Sequence, residues 1–338
     1  MKAGVKAALA RWVLHKRRGI EGGRPAAHDE ATHAWDGRRR FAEDYAFAAV
    51  QRDLSLLVRL EWLPGRAAHR VWLMVLGADG AWWIPPEHTI VAQTCNDRWR
   101  VGDLVLDCAV PLVRWTVRYD GPLRRADDAH ARSGAPRCRV DLTFDATGEP
   151  FVPGVDDDPD LVARRLGEAQ WDPALLRAVR RATQRGYVQV GRFAGTAVLG
   201  DAMLPVDAIG IRQHTWGVRD WGAPDQAAQC LIVDGDDVVW VQRAEFPELT
   251  IEGGFVASGP RWREVTDIGR VSREDQHCAL EVDTAIGRRA WTVHPKAATT
   301  MRVDGRGAFE LAFVADEGNA RGLWATQCRT LPRALMRR

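Results

Sequence analysis

The residues best suited to chemistry lie in one stretch, 205–224, which reads PVDAIGIRQHTWGVRDWGAP. It gathers Arg212, Gln213, His214, Trp216, Arg219, Asp220 and Trp221, with glycines at 210, 217 and 222. An imidazole beside a carboxylate suits proton transfer, with Asp220 as candidate acid and His214 as relay or general base. Indole faces attract a cation, so Trp216 and Trp221 are candidate cavity walls. Arg212 and Arg219 are candidate anchors for an anionic group, and Gln213 completes the candidate binding set. If residues 206–216 form a strand, Arg212, His214 and Trp216 share one face, because side chains alternate with period two. Gly217 then permits a bulge or a positive φ that re-aims the Val-Arg-Asp-Trp after it. The same residues also read as a tryptophan-rich core strand closed by an Arg–Asp pair. Such a pair would lower the pKa of Asp220 and disqualify it as an acid.

Composition narrows the classes of protein that could carry such a site. The 338 residues suffice for two ordinary domains or one large β-domain. A net charge of +2 gives no electrostatic pull toward nucleic acid. The fifteen tryptophans, against three tyrosines, supply rigid apolar surface for a core or for an apolar ligand cavity. Six cysteines at 95, 108, 138, 230, 278 and 328 show no C-x-x-C spacing, so reduced thiols are expected and neither a metal site nor a cofactor is. The segment HDEATH at 28–33 lacks the i, i+4 histidine pair of a zinc-protease helix and reads as a solvated loop. At the N-terminus, Arg11, His15 and Lys16–Arg18 interrupt the apolar run, which argues against a signal peptide and against a membrane span. An amphipathic helix packed on the protein surface through Val5, Leu9, Trp12 and Val13 is expected, with membrane contact at most weak and peripheral. The cytoplasm is the expected compartment.

The elements that must position the site are mostly strands. Residues 1–40 read as a helix and linker, and 41–150 as a β-barrel domain. Period-two runs at 54–62, 70–76, 113–119 and 137–145 put Trp115, Val140, Leu142 and Phe144 inward. Residues 151–187 read as a helical connector: Asp158-Pro159-Asp160 is an N-cap with Pro at the first helical position, and Trp171-Asp172-Pro173 repeats it, with Trp171 stapled onto Leu176. From 188 to 330 β-type runs return as a second barrel domain, with hairpin turns at Asp234–Asp237 and Asp304-Gly305. The fold class is mainly β, two antiparallel barrel or sandwich domains joined by a short helical segment. No dinucleotide fingerprint, Walker loop or nucleophile elbow is present.

The stretch VDAIGIRQHTWGVRDWGAPD and the helical FVPGVDDDPDLVARRLGEAQWDPALLRAVRRATQRGY resemble an uncharacterised bacterial family related to carotenoid 1,2-hydratase and AttH-like proteins. Glu43 and WTVRYDG at 115–121 match related patterns more loosely. The resemblance implies two lipocalin-like barrels and a pocket for an apolar small molecule, between or within them. It departs where such relatives read Arg-Asp-His-Ser-Trp-Gly and this chain has Arg212-Gln213-His214-Thr215-Trp216-Gly217, which removes a carboxylate beside His214. Near 322–328 the chain offers Thr326 and Gln327 where relatives often carry a Glu.

Two functions follow as expectations. One is acid-initiated hydration or cyclisation of a terpenoid, sterol or lipid-like molecule, by a hydratase or cyclase using Asp220 and His214. The other is a non-catalytic carrier or sensor of such a ligand. Tyr187 is a more distant candidate, otherwise a helix-end anchor. Oligomeric state is left open by the sequence.

Overall fold

The structure, a computed structural model, describes residues 4–12, 23–52, 54–86, 90–92, 99–127, 135–173, 175, 184–219, 223–273, 277–303 and 307–328. Alternating apolar residues build its strands, and two units result, each with its own sheet. In the first, Phe41–Val50 (β1), Ser55–Leu63 (β2), Ala68–Leu76 (β3), Trp82–Ile84 (β4), Ile90–Ala92 (β5) and Arg100–Val101 (β6) come first. Leu104–Val110 (β7), Arg114–Pro122 (β8), Arg124–Arg125 (β9), Arg137–Ala146 (β10), Arg185–Leu199 (β11) and Ala202–Val218 (β12) complete it. The order is β6-β7-β8-β10-β11-β12-β1-β2-β3-β4-β9, with β5 on β3. The core of this curled antiparallel sheet is aromatic and branched: Phe47, Trp115, Phe144 and Phe193 are fully buried among Leu and Val. The inward Trp115, Val140, Leu142 and Phe144 are where the alternation puts them. Gly191 has a packing reason, since a Cβ there would collide with the Phe144 ring.

In the second unit, Gln226–Asp234 (β13), Asp237–Glu245 (β14), Thr250–Ser258 (β15), Arg261–Arg273 (β16), Cys278–Thr284 (β17), Gly287–Val303 (β18), Gly307–Ala315 (β19) and Arg321–Cys328 (β20) close into a barrel in chain order. The hairpin at Asp234–Asp237 forms as expected, with Gly235 at φ +61°. Strand β18 is one long strand, irregular between Pro295 and Ala297. Helix α1 (Pro159–Glu168) begins as its sequence dictates: the Asp158 side chain accepts from the backbone N–H groups of Asp160 and Leu161. It packs on β15 and β16, and Arg165 donates to the buried Glu252 at 2.5 Å. Leu176 and the Asp304-Gly305 turn lie outside the described residues.

The expected boundary near 188 moves to 219, because β11 and β12 hydrogen-bond into the first sheet between β10 and β1. Residues 151–183 group with the barrel, as do residues 1–24. The N-terminal helix, residues 4–12, turns Val5, Leu9 and Trp12 outward, so the expected packed face is exposed. No helix among the described residues is long and apolar enough to cross a membrane.

Candidate functional site

Three strands carry most of the site in register on the inner face of the first sheet. Glu43 of β1 faces Trp216 of β12, Tyr45 faces His214, and Phe47 faces Arg212. On the other side of β12, Tyr187 of β11 faces His214 and Gln189 faces Arg212. Pairing with period two puts all of these on one face, and the core makes that face interior. The fourth contributor is the short 3₁₀ turn Ala27–Glu30 with the residues that follow it.

Glu30 is 3% exposed and organises one half of the site. Arg212 grips both its oxygens, Nη1 at 3.0 Å and Nη2 closer still. The phenol of Tyr187 and the indole of Trp115 donate to it at 2.9 Å each, and the Leu112 backbone N–H at 3.1 Å. The Arg212 guanidinium also donates to Gln189 and lies over the rings of Trp115 and Tyr187, 5.6 and 5.2 Å from their centroids. A buried carboxylate and guanidinium held this way satisfy each other's charge and hydrogen-bonding groups.

Glu43, fully buried, organises the other half. His214 Nε2 lies 2.9 Å from its Oε1, His33 Nδ1 3.0 Å, and the Tyr45 hydroxyl 3.1 Å. Burial pushes the Glu43 carboxyl up, but hydrogen bonds from His214 and His33 outweigh it and hold it below the usual range. Burial pushes His214 down, against the opposing Glu43 charge, so the imidazole is neutral. Its Nδ1 stands 3.4 Å from the Tyr187 hydroxyl, which joins the two halves. Burial raises both Tyr45 and Tyr187, which keep their protons. His33 stacks on Trp216 at 3.8 Å, and Tyr45 stacks on His214 at 4.1 Å.

A groove of about 490 Å³ reaches Glu30. Trp99, Val105, Leu106 and Ala27 supply apolar wall, and Arg100 and Arg118 sit exposed at the lip. Cys108 lines it too; burial, with the Glu30 charge added, pushes its thiol up to about 11, so it is no nucleophile at neutral pH.

The sheet divides the residues singled out in the sequence. Arg212, His214 and Trp216 share the inner face, as alternation requires. Gly217 takes the anticipated positive φ of 123°, yet pairing with Ala42 continues through it, so alternation is not reset. Gln213 and Arg219 therefore fall on the outer face and do not join His214. There Arg219 grips Asp44 and donates to Glu61 at 3.1 Å, while Arg59 donates to Asp44 at 2.5 Å and Arg70 to Glu61 at 3.2 Å. Burial pushes Asp44 up, and the Arg219 and Arg59 charges outweigh it to hold it ionised. This is the structural Arg–acid pairing the sequence offered as the plainer reading, made with Asp44 and Glu61. Asp220 and Trp221 lie outside the described residues. Trp216 stacks on His33 and is not among the groove's walls.

Glu30 and His33 were missed: HDEATH is no solvated loop, since one of its residues is buried on Arg212 and another meets Glu43. The signal available was its pairing of His and acidic residues directly ahead of a strand. Its spacing argued only against a helix-borne metal site.

Residues 26–321 match the family described as Domain of unknown function (DUF7064), and the chain belongs to that family. No curated protein matches the sequence. Among solved structures it is similar to CghA with Sch210972, at 15% identity and TM-score 0.53, over 86% of this chain and 89% of that one. It is similar also to an AttH candidate from Nitrosomonas europaea, at 12% identity and TM-score 0.52, over 90% and 96%. The two barrel-like antiparallel sheets are thus an AttH-type fold.

Proposed function

We propose that the protein binds an apolar small molecule, of terpenoid, sterol or lipid-like character, in the groove of its first sheet. One observation carries this: a groove walled by Trp99, Val105 and Leu106, with Arg100, Asp107 and Arg118 also lining it, reaches the buried Glu30 that Arg212 holds from behind, so apolar surface and a few fixed polar groups meet as they do in small-molecule sites. The shared fold with CghA, crystallised with Sch210972, supports it. In this reading Tyr187, whose hydroxyl donates to Glu30 at 2.9 Å and stands 3.4 Å from His214 Nδ1, is a positioning residue, with His214 as relay and Asp220 as the acid. Hydration or cyclisation is the reaction class that a carboxylic acid near a cation-tolerant indole such as Trp99 serves.

A second observation favours the carrier reading. Donors surround the carboxyl groups of Glu30 and Glu43, and Glu43 is held low, whereas alkene protonation needs a carboxyl raised by burial. Asp220 is the remaining candidate acid for the enzyme reading.

The test is native mass spectrometry of protein from its own host, followed by extraction and incubation with the extracted molecule. A stoichiometric apolar ligand that is turned over, with turnover lost in Tyr187→Phe or Asp220→Asn while binding persists, supports the enzyme. A ligand bound unchanged by wild type and both variants supports the carrier. An empty protein with no thermal shift across a terpenoid, sterol and fatty-acid panel overturns both.

A further inference from the structure

We propose that His33, Glu43 and His214 form a binding site for one divalent transition-metal ion, zinc by preference. One ligand atom from each of the three residues lies within 4.8 Å of the other two, and His33 Nδ1 and His214 Nε2 both face Glu43 Oε1. Each nitrogen is about one ligand-to-ligand spacing from the oxygen, 3.0 and 2.9 Å. Bonds of about 2.0–2.1 Å to one zinc ion put neighbouring ligand atoms about 3 Å apart. Two imidazoles and one carboxylate suit zinc and its first-row neighbours and not calcium or magnesium, which take oxygen ligands.

The hydrogen bonds themselves point to a cation. Four potential donor atoms crowd Glu43 Oε1, the two ring nitrogens donating or not according to tautomer: the His33 backbone nitrogen at 3.1 Å, His33 Nδ1, the Tyr45 hydroxyl and His214 Nε2. Oε2 receives only the same backbone N–H among the described residues, at 3.0 Å. A carboxylate oxygen has about two lone-pair directions, so four donors exceed what it accepts. A metal ion ligated by the two imidazoles withdraws both from that competition and leaves Tyr45 and the backbone N–H.

The far side of each ring agrees. His214 Nδ1 faces the Tyr187 oxygen at 3.4 Å, and that hydroxyl makes its shorter contact, 2.9 Å, with Glu30. His33 Nε2 faces Asp29 Oδ1 at 3.8 Å. His214 Nδ1 thus has an oxygen within hydrogen-bond reach and His33 Nε2 has a carboxylate at ion-pair distance, and a proton on each far nitrogen leaves the near nitrogen's lone pair turned toward Glu43. Metal-bound histidines are held in this manner, with the second nitrogen donating outward. Protonating both rings would also reconcile the geometry, but it would put two like charges on rings 5.4 Å apart, one of them fully buried. One divalent ion between them avoids that repulsion. His33, at 23% side-chain exposure, gives the ion access from solvent.

No sequence spacing betrays this set, because its members come from the turn region, β1 and β12. The test uses the full chain, stripped with chelator and dialysed, and titrated with Co²⁺ as a spectroscopic probe and with Zn²⁺ by calorimetry. One ion per chain is expected, with visible Co²⁺ bands stronger than those of the aqueous ion. Asp29→Asn is expected to weaken binding about tenfold by removing the outward carboxylate charge that faces His33 Nε2, and His33→Ala to weaken it further. His28→Ala removes an exposed ring that lies 3.5 Å from Asp29 Oδ1 but offers the ion no ligand, and is expected to change binding less than Asp29→Asn does. Glu43→Gln risks misfolding, so the partly exposed His33 and Asp29 carry the test, with circular dichroism confirming their fold. Absence of stoichiometric binding, binding unchanged in His33→Ala, or binding lost in His28→Ala instead would overturn the assignment.

Discussion

The two sheets bury opposite kinds of interior. The eight-stranded barrel closes over a core of Val, Ile, Leu, Cys and Trp, including Cys230, Leu280, Val293 and Trp324, with no charged member. The first sheet surrounds an equally apolar core but inserts Glu30, Glu43, Arg212 and His214 beside it, each 3% exposed or less. Burying charge is costly and is tolerated only when every group is paired, so a fold that repeats the expense on two adjacent strands and the turn beside them has a use for it. The barrel shows what the same β-architecture looks like without that demand. The acids buried in its unit among the described residues are Glu252, met by Arg165 from α1, and Asp157, which accepts from the Gly154 N–H.

The contrast can be broken most forcefully at Arg212. Arg212→Met leaves Glu30 buried and uncompensated, and should cost about 3–5 kcal/mol in urea unfolding. Adding Glu30→Leu to that variant should recover much of the loss, since replacing both charges is far milder than removing one. In the barrel the matching experiment is Leu280→Ala, which removes a fully buried side chain and should cost about 2–5 kcal/mol as a cavity, with no second substitution that restores it by charge. Asp158→Ala should remove about 1 kcal/mol through the cap of α1, measurable in the same denaturation curves.

The smallest effect is acid-dependent. Burial pushes the barrel's Asp237 carboxyl up, but hydrogen bonds from Ser258 and Arg289 outweigh it and leave it below the ordinary value of 3.8. A depressed carboxyl stabilises the fold above its unfolded pKa, and that contribution disappears as pH falls through the folded one. Asp237→Asn should therefore lower stability modestly at neutral pH and leave it nearly unchanged near pH 2. Thermal melts across that range would show the two curves converging; parallel curves would rule the pairing out as a contributor.

Much of this was legible in the chain. Alternation placed Arg212, His214 and Trp216 on one face and put Trp115, Val140, Leu142 and Phe144 inside. Asp158-Pro159 announced α1, and Gly217 its positive φ. Strand β1 was hidden for a physical reason. FAEDYAFAAV is buried on both faces and sets acids beside aromatics, so it shows no period of two, and Glu43 could not be assigned to a core face. Glu30 was hidden because its partner Arg212 stands 182 residues away, and no local pattern records such a pair. Arg219 and Gln213 were grouped with His214 because proximity in sequence was read as proximity in space, which alternation forbids for adjacent residues.

The placing of β12 between β11 and β1 has a consequence in time. Phe41 pairs with Val218 and Val50 with Ile209, so the first sheet cannot be completed until the ribosome has delivered residues beyond 218. Helix α1 and the connector around it have by then already been made. Each neighbouring pair in the barrel but one, by contrast, follows directly in sequence. Non-local pairings bear their loop-closure cost before any contact rewards it. The first sheet is thus the half that must hold its early strands open for a late one, and Glu30 waits 182 residues for the Arg212 that neutralises it.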